Sequence, residues 1–75
     1  MTIQTIATDL IRQYRNEILK HRDWFYNLDD YTLNVCDYDG QGTFGVIAYH
    51  VKDNVTDWEH YTELNPITES EINLL

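Results

Sequence analysis

The chain is poor in the residues that crosslink, bend or anchor a small protein. Its 75 residues include one cysteine, one proline and three glycines. A single cysteine excludes an intramolecular disulfide, and small secreted domains usually depend on such bridges. No apolar run approaches the roughly 18 residues of a membrane span, and Asp9 and Arg12 interrupt the start, where a signal peptide would be apolar. We therefore expect a cytoplasmic protein that forms one domain over residues 1–75.

Positive charge is scarce and lies almost entirely at one end of the sequence. The net charge is −8, and beyond residue 22 there are eleven acidic residues and only one basic residue, Lys52. An acidic surface of this kind repels nucleic acid and anionic lipid, and it attracts basic protein surfaces and speeds encounter with them. Because 43% of the residues are hydrophobic and six are tyrosine, the chain has enough apolar material for a compact core.

The N-terminal segment has the periodicity of an amphipathic helix. Apolar residues recur at steps of three and four, which predicts one long helix over about residues 3–26, with Thr2 as its N-cap. Residues 23–30 then turn the chain. The apolar stripe consists of Ile3, Ile6, Ala7, Leu10, Ile11, Tyr14, Ile18 and Phe25.

Three segments with the character of strands follow. Residues 31–38 alternate apolar and polar side chains, and residues 43–51 are rich in β-branched and aromatic side chains. Residues 55–64 alternate polar and aromatic residues. The intervening residues 39–42 and 53–54 have the composition of hairpin turns. The sequence therefore predicts an α+β fold in which one long helix packs on a three-stranded antiparallel meander.

The C-terminal segment carries the signature of a helix start. Thr68 followed by Glu71 is a capping box, and Ile67 and Ile72 are placed to form the accompanying hydrophobic staple. A helix of one or two turns is stable only when it docks on another part of the protein. We therefore expect a short helical tail that packs against the domain.

The predicted hairpin registers divide the strand residues between two faces. One face carries Leu33, Val35 and Phe44, and we expect the helix to cover it. On the other face, a two-residue turn at 53–54 would set Tyr49 opposite Trp58. This second face is either an exposed interaction site or is covered by the C-terminal turn and the 23–30 loop. Its residues are Tyr38, Ile47, Tyr49, Val51, Trp58 and His60.

Asp37 and Asp39 match the first ligand positions of an EF-hand calcium loop, but the later part of the segment does not match that motif. With Asp37 as position 1, Gly42 occupies the glycine position, whereas Ala48 stands where a bidentate glutamate is required. The sequence therefore predicts a hairpin turn, with no metal and no cofactor. The other candidate ligands lack the short paired spacings of a zinc motif. They are His21, Cys36, His50 and His60.

The sequence does not predict an enzyme. Cys36 lies in a strand beside Asp37, and neighbouring acids raise the pKa of a thiol rather than lower it. The carboxylate pairs Asp29-Asp30 and Asp57/Glu59 have the groups for acid–base chemistry. A chain of this size has little room for a pocket that excludes water, so a small hydrolase or metal protein is the least favoured interpretation.

In size, acidity and absence of a catalytic motif, the chain resembles the small acidic single-domain inhibitors of phages and mobile elements, which include anti-CRISPR proteins and other nucleic-acid mimics. The resemblance is one of character and aligns no residues. It implies a stoichiometric inhibitor that occupies a basic, nucleic-acid-binding surface of a partner protein. The alternative is a structural module that forms a homodimer through its open sheet face. The predicted contact residues are Asp29, Asp30, Asp37, Tyr38, Asp39, Tyr49, Asp53, Asp57, Trp58, Glu59 and Glu63.

Overall fold

The computed structural model of the chain describes residues 2–75 as an antiparallel sheet flanked by helices. Four strands lie side by side in chain order, and a short fifth strand pairs with the start of the third. The predicted α+β class with an antiparallel sheet is confirmed. In chain order the elements are α1 (Ile3–Gln13), α2 (Arg15–His21), β1 (Asp23–Asn27), β2 (Tyr31–Cys36), β3 (Thr43–Lys52), β4 (Val55–Glu63), β5 (Ile67–Thr68) and α3 (Glu69–Leu74).

The prediction of one long helix over residues 3–26 is wrong. The helix does begin at Thr2, whose side chain accepts a hydrogen bond from the backbone N–H of Thr5 at 3.2 Å. It breaks after 11 residues at Tyr14, where φ is −109° and ψ is 19°. The second helix ends at Arg22, which adopts the left-handed conformation with φ at 61°. The helical segment is thus two shorter helices separated by a one-residue break.

A fourth strand stands where the sequence predicted the end of the helix and a turn. In β1, Trp24 is buried and Tyr26 packs against the core, whereas Phe25 points to the opposite side. Trp24 pairs with Val35 of β2. The strand forms because the left-handed residue before it stops the helix, and because three successive aromatic residues favour extended backbone. The meander therefore has four strands rather than three.

The hairpin between β3 and β4 begins in the predicted register. Asp53 and Asn54 both have positive φ, as a type I′ turn requires, and Lys52 pairs with Val55. Beyond residue 57 the predicted register is wrong, because Tyr49 pairs with Tyr61 instead of Trp58. Ile47 likewise pairs with Glu63 rather than His60. Three residues of β4, 58–60, have no partner on β3 and form a β-bulge.

The core lies between the helices and one face of the sheet, as the sequence predicted. Leu33 pairs with Ala48 and Val35 with Val46, so these side chains share the face that the helices cover. The C-terminal helix completes the core, because the predicted capping box is present at Thr68 and Ile72 is fully buried. The buried apolar residues are Ala7, Ile11, Ile18, Trp24, Leu33, Val35, Phe44, Val46, Ala48 and Ile72.

Candidate protein-binding surface

The sheet has a second face that the helices do not cover, which we call the open sheet face. Cross-strand pairing places Phe25, Asn34, Ile47 and Glu63 in one row across this face. The next row contains Thr32, Tyr49 and Tyr61. The C-terminal helix packs beside α2 on the opposite side, and residues 23–27 belong to the sheet itself. Neither segment that the sequence offered as a cover therefore lies over this face.

Four aromatic side chains form a cluster on the open sheet face: Phe25, Tyr49, Trp58 and Tyr61. The ring centroids of Tyr49 and Trp58 are 4.8 Å apart, and those of Tyr49 and Tyr61 are 5.7 Å apart. Phe25 meets Trp58 edge to face at 6.1 Å. Such tilted pairs contribute about 0.5–1.5 kcal/mol beyond their area of burial. The rings touch one another, so a partner would lie on top of the cluster rather than between its members.

The aromatic cluster is largely accessible to solvent. The exposed fractions are 50% for Phe25, 57% for Trp58 and 50% for Tyr61. Soluble proteins rarely leave several large apolar side chains in contact with one another and with water, and such patches often mark sites of interaction. The exposed cluster is therefore the feature of this surface that most needs a functional explanation.

Tyr38 extends the aromatic surface toward one end of the sheet. Its ring lies over Gly45, where an added Cβ would come within 2.6 Å of the Tyr38 ring. Its hydroxyl donates to Oδ1 of the buried Asn34 at 3.0 Å. Partial burial raises the pKa of the Tyr38 hydroxyl, and the nearby Glu63 and Asp23 carboxylates raise it further. Glycine at position 45 thus gives the Tyr38 ring a flat place on the sheet.

Carboxylates lie on and beside the open sheet face, whereas no lysine or arginine of residues 2–75 falls on it. Asp23 and Glu63 belong to its cross-strand rows, and Glu59 lies in the bulge next to Trp58. Lys52 is the last residue of β3, and its place in the strand alternation puts it on the side of the sheet that faces the helices. The face therefore combines apolar rings with negative charge alone.

The predicted contact residues do not all lie together. Tyr38, Tyr49, Trp58 and Glu63 lie on the open sheet face, as the preceding distances and pairings show, and Glu59 follows Trp58 in the bulge. The other predicted acids fall at the two ends of the sheet. Asp29, Asp30 and Asp53 are in the turns at one end, and Asp37 and Asp39 are in the loop at the other. Asp57 is the last paired residue of β4 before the bulge.

Asp37 is enclosed and already paired. Its side chain has no exposed surface, and its carboxylate accepts hydrogen bonds from Arg22 at 3.0 Å and from the backbone N–H of Gly42 at 3.2 Å. Burial raises the pKa of Asp37, but the hydrogen bonds with Asp39, Arg22 and Gly42 outweigh it and lower the pKa overall. Asp37 therefore closes the 37–42 loop and does not belong to the surface that we consider for binding.

Arg22 joins three parts of the chain at this end of the sheet. Its guanidinium bonds to Asp37 in the loop and to Glu69 at the start of α3. Its backbone carbonyl accepts the N–H of Asp37 at 2.9 Å, and its guanidinium lies 5.7 Å from the ring centroid of Phe44. Both flanking carboxylates help to raise the pKa of Arg22. This arginine is thus engaged in structure rather than presented to a partner.

Three residues of the surface were missed by sequence reasoning: Phe25, Tyr61 and Asp23. Phe25 and Asp23 were assigned to the helix end and its turn, although the three consecutive aromatic residues 24–26 were a signal for a strand. Tyr61 was missed because the bulge brings it to the open sheet face.

The surroundings of Cys36 disfavour a reactive thiolate. Burial raises the pKa of the Cys36 thiol, and Asp23 adds to the effect, so the thiolate is disfavoured. Across residues 2–75, no three side chains of His, Cys, Asp or Glu lie close enough to hold a metal ion. No helix in this part of the chain is long and apolar enough to cross a membrane.

Comparison of the chain with protein-family models, with curated proteins and with solved structures finds no match. Functional inference therefore depends on the geometry of this surface.

Proposed function

We propose that the protein is a non-enzymatic binding module that acts as a stoichiometric inhibitor, using its open sheet face to occupy a basic, nucleic-acid-binding surface of a partner protein. The observation that supports this proposal most strongly is the exposed aromatic cluster, which lies among carboxylates and has no cation on its own face. Aromatic side chains dominate the binding energy of protein interfaces, where removing one anchor often costs about 2 kcal/mol or more.

The size of the aromatic cluster limits what it can do alone. A fully covered aromatic side chain buries about 150–250 Å², so the three half-exposed rings and the less exposed Tyr49 offer roughly 350 Å² to a partner. A stable interface needs about 800 Å² from each protein. The neighbouring carboxylates must therefore take part in the contact. Negative charge at the rim favours a basic partner, whose arginines also stack on aromatic rings.

Charge disfavours the alternative homodimer. Two copies that met through the open sheet face would place the carboxylates Asp23, Glu59 and Glu63 of both chains in one interface, with no lysine or arginine on either face, and each chain carries a net charge of −8. Like charges at an interface cost several kcal/mol when they are juxtaposed. A basic partner removes this repulsion, whereas a second copy of the chain increases it.

A capture experiment with matched baits tests the proposal. The wild-type protein, Trp58→Ala and Leu74→Ala would each be used to capture proteins from a cell lysate. Trp58 and Leu74 are both exposed, but Leu74 lies on α3, away from the open sheet face. We expect a basic protein that binds the wild type and Leu74→Ala and is lost with Trp58→Ala.

The captured protein then decides between inhibitor and other binding roles. If the proposal is right, adding this chain releases nucleic acid from the partner at a one-to-one ratio, as anisotropy of a labelled oligonucleotide would show. Nucleic acid that stays bound while the complex forms would contradict the inhibitor role.

A further inference from the structure

The β-bulge at residues 58–60 changes which side chains reach the open sheet face. The ladder between β3 and β4 runs without interruption from the Lys52–Val55 pair to the His50–Asp57 pair, and it resumes at Tyr49–Tyr61. In an uninterrupted ladder, Tyr61 would stand opposite Val46 and would face the helices. A shift by an odd number of residues moves every later side chain to the other face. The three-residue bulge therefore brings Tyr61 to the open sheet face.

The same shift in register brings the Glu63 carboxylate to the open sheet face. Without the bulge, Glu63 would stand opposite Phe44, whose side chain is fully buried in the core. With it, Glu63 pairs with Ile47 on the open sheet face. Trp58, which lies within the bulge, keeps its ring 4.8 Å from that of Tyr49 although the two residues are not paired. The bulge thus assembles both the aromatic cluster and a carboxylate beside it.

The carboxylate of Asp57, the last paired residue before the bulge, bonds to two of the residues that form it. Its Oδ1 accepts the backbone N–H of Glu59 at 3.0 Å. Its Oδ2 lies 2.6 Å from Nδ1 of His60, close enough for the imidazole N–H to donate to it. Both bonds run from Asp57 to residues that have no partner on β3. They supply the unpaired residues with contacts that the strand ladder does not provide.

We infer that Asp57 is a positioning residue for partner binding, because it fixes the bulge that presents Trp58, Tyr61 and Glu63 together. The effect on binding rests on the proposed function, whereas the effect on the surface does not. This assignment differs from the role that the sequence suggested for Asp57, which was direct contact with the partner. The Asp57 carboxylate then acts through its hydrogen bonds with Glu59 and His60 and not through direct contact with a partner.

The test uses Asp57→Ala, Asp57→Asn and the control Asp29→Ala. The asparagine variant keeps an oxygen that accepts the Glu59 N–H, whereas alanine removes both contacts. Asp29 is an exposed residue in the β1–β2 turn. We would record nuclear Overhauser effects between the rings of Tyr49, Trp58 and Tyr61. We would also measure quenching of tryptophan fluorescence by acrylamide, which reports mainly on Trp58 because Trp24 is 8% exposed.

We expect Asp57→Ala to abolish the cross-peaks between Tyr49 and Tyr61, which stand opposite each other only in the shifted register, and to change the quenching. Asp57→Asn should restore part of both signals, and Asp29→Ala should match the wild type. Binding of an oligo-arginine peptide should weaken about tenfold in Asp57→Ala, which corresponds to about 1.4 kcal/mol. If the ring contacts persist in a folded Asp57→Ala, the inference is wrong. If the contacts are lost while peptide affinity is unchanged, the positioning role stands and the proposed function is contradicted.

Discussion

Individual residues on the open sheet face are fixed by small steric and electrostatic details. Gly45 is one example, because its missing side chain is what allows the Tyr38 ring to lie on the sheet. The φ of Gly45 is not positive, so alanine would cause no backbone strain there. A larger residue at position 45 would therefore destabilise the protein by displacing the Tyr38 ring.

We predict that Gly45→Ala displaces Tyr38 from the sheet. The added Cβ would lie 2.6 Å from Cε2 of Tyr38, so the ring must move and its hydrogen bond to Asn34 must break. Loss of this bond should lower the free energy of unfolding by about 0.5–1.5 kcal/mol, as measured by urea denaturation. Tyr38→Phe is the control, since it removes the hydroxyl and leaves the ring. Unchanged ring resonances of Tyr38 in Gly45→Ala would contradict the predicted displacement.

Acid should weaken the fold partly through Asp37. Because folding lowers the pKa of this carboxyl, its contribution to stability is present above the ordinary value of 3.8 and is lost as the pH falls through the lowered value. Asp37→Asn should be less stable than the wild type at neutral pH and should lose less stability between pH 7 and pH 3. Thermal unfolding across this range, with the exposed Asp29→Asn as control, measures the difference. Parallel pH profiles of wild type and Asp37→Asn would show that Asp37 does not contribute in this way.

At the scale of secondary-structure elements, the tail shows how a short helix is stabilised. The capping box at Thr68 satisfies its first backbone N–H groups, and Ile72 anchors it in the core. Isolated helices of this length are not stable in water, so the anchor should account for most of its stability.

We predict that Ile72→Ala and Leu74→Ala differ sharply in their effects on folding. Ile72 is fully buried and Leu74 is 86% exposed, although both lie on the same short helix. Ile72→Ala should cost about 2–5 kcal/mol. Leu74→Ala should stay within about 0.5 kcal/mol of the wild type. Equal losses for the two variants in chemical denaturation would show that α3 does not dock through Ile72.

The sequence predicts elements well where the signal is local. The N-cap at Thr2, the turn at 53–54 and the capping box at Thr68 each depend on a few neighbouring residues, and all three are present. The apolar face of the sheet was also predicted, since parity across a hairpin follows from the period of two.

Two elements were not predicted, for different reasons. β1 was hidden because Phe25 fits the apolar stripe of a helix. In addition, the helix ends at Arg22 in the left-handed conformation, and an arginine in the sequence does not indicate that conformation. The bulge was hidden because residues 55–64 were interpreted as one regularly alternating strand, although Val55, Trp58, Tyr61 and Leu64 recur at steps of three. We infer that the shift depends on the side-chain bonds of Asp57. Of the surface, Tyr38, Tyr49, Trp58, Glu59 and Glu63 were therefore predicted, whereas Phe25, Tyr61 and Asp23 were not.

At the scale of the whole molecule, the two faces of the sheet differ in character. The helices and one sheet face enclose the core, and the other sheet face carries the aromatic cluster and carboxylates. With a net charge of −8, long-range attraction should guide a basic partner, and the aromatic contacts should hold it.

We predict that binding of an oligo-arginine peptide depends on salt mainly through its association rate. The Debye length falls from about 8 Å at 0.15 M salt to about 3 Å at 1 M, which screens attraction before contact. Changing Glu59 and Glu63 together to glutamine should slow association more than changing Asp29 and Asp30 to asparagine, although each pair removes the same charge. Stopped-flow measurements across salt concentrations decide this. Equal effects of the two pairs would mean that only the total charge matters.

The most direct test of the open sheet face as a binding surface is chemical-shift mapping of the labelled protein with an oligo-arginine peptide, with oligo-glutamate as the control. We predict a contiguous set of shifted resonances at Phe25, Tyr49, Trp58, Tyr61 and Glu63, with saturation and with none for oligo-glutamate. The helices and the turns at the ends of the sheet should stay unshifted. Shifts spread over all exposed acids, or confined to the helices, would contradict the assignment of this face as the binding surface.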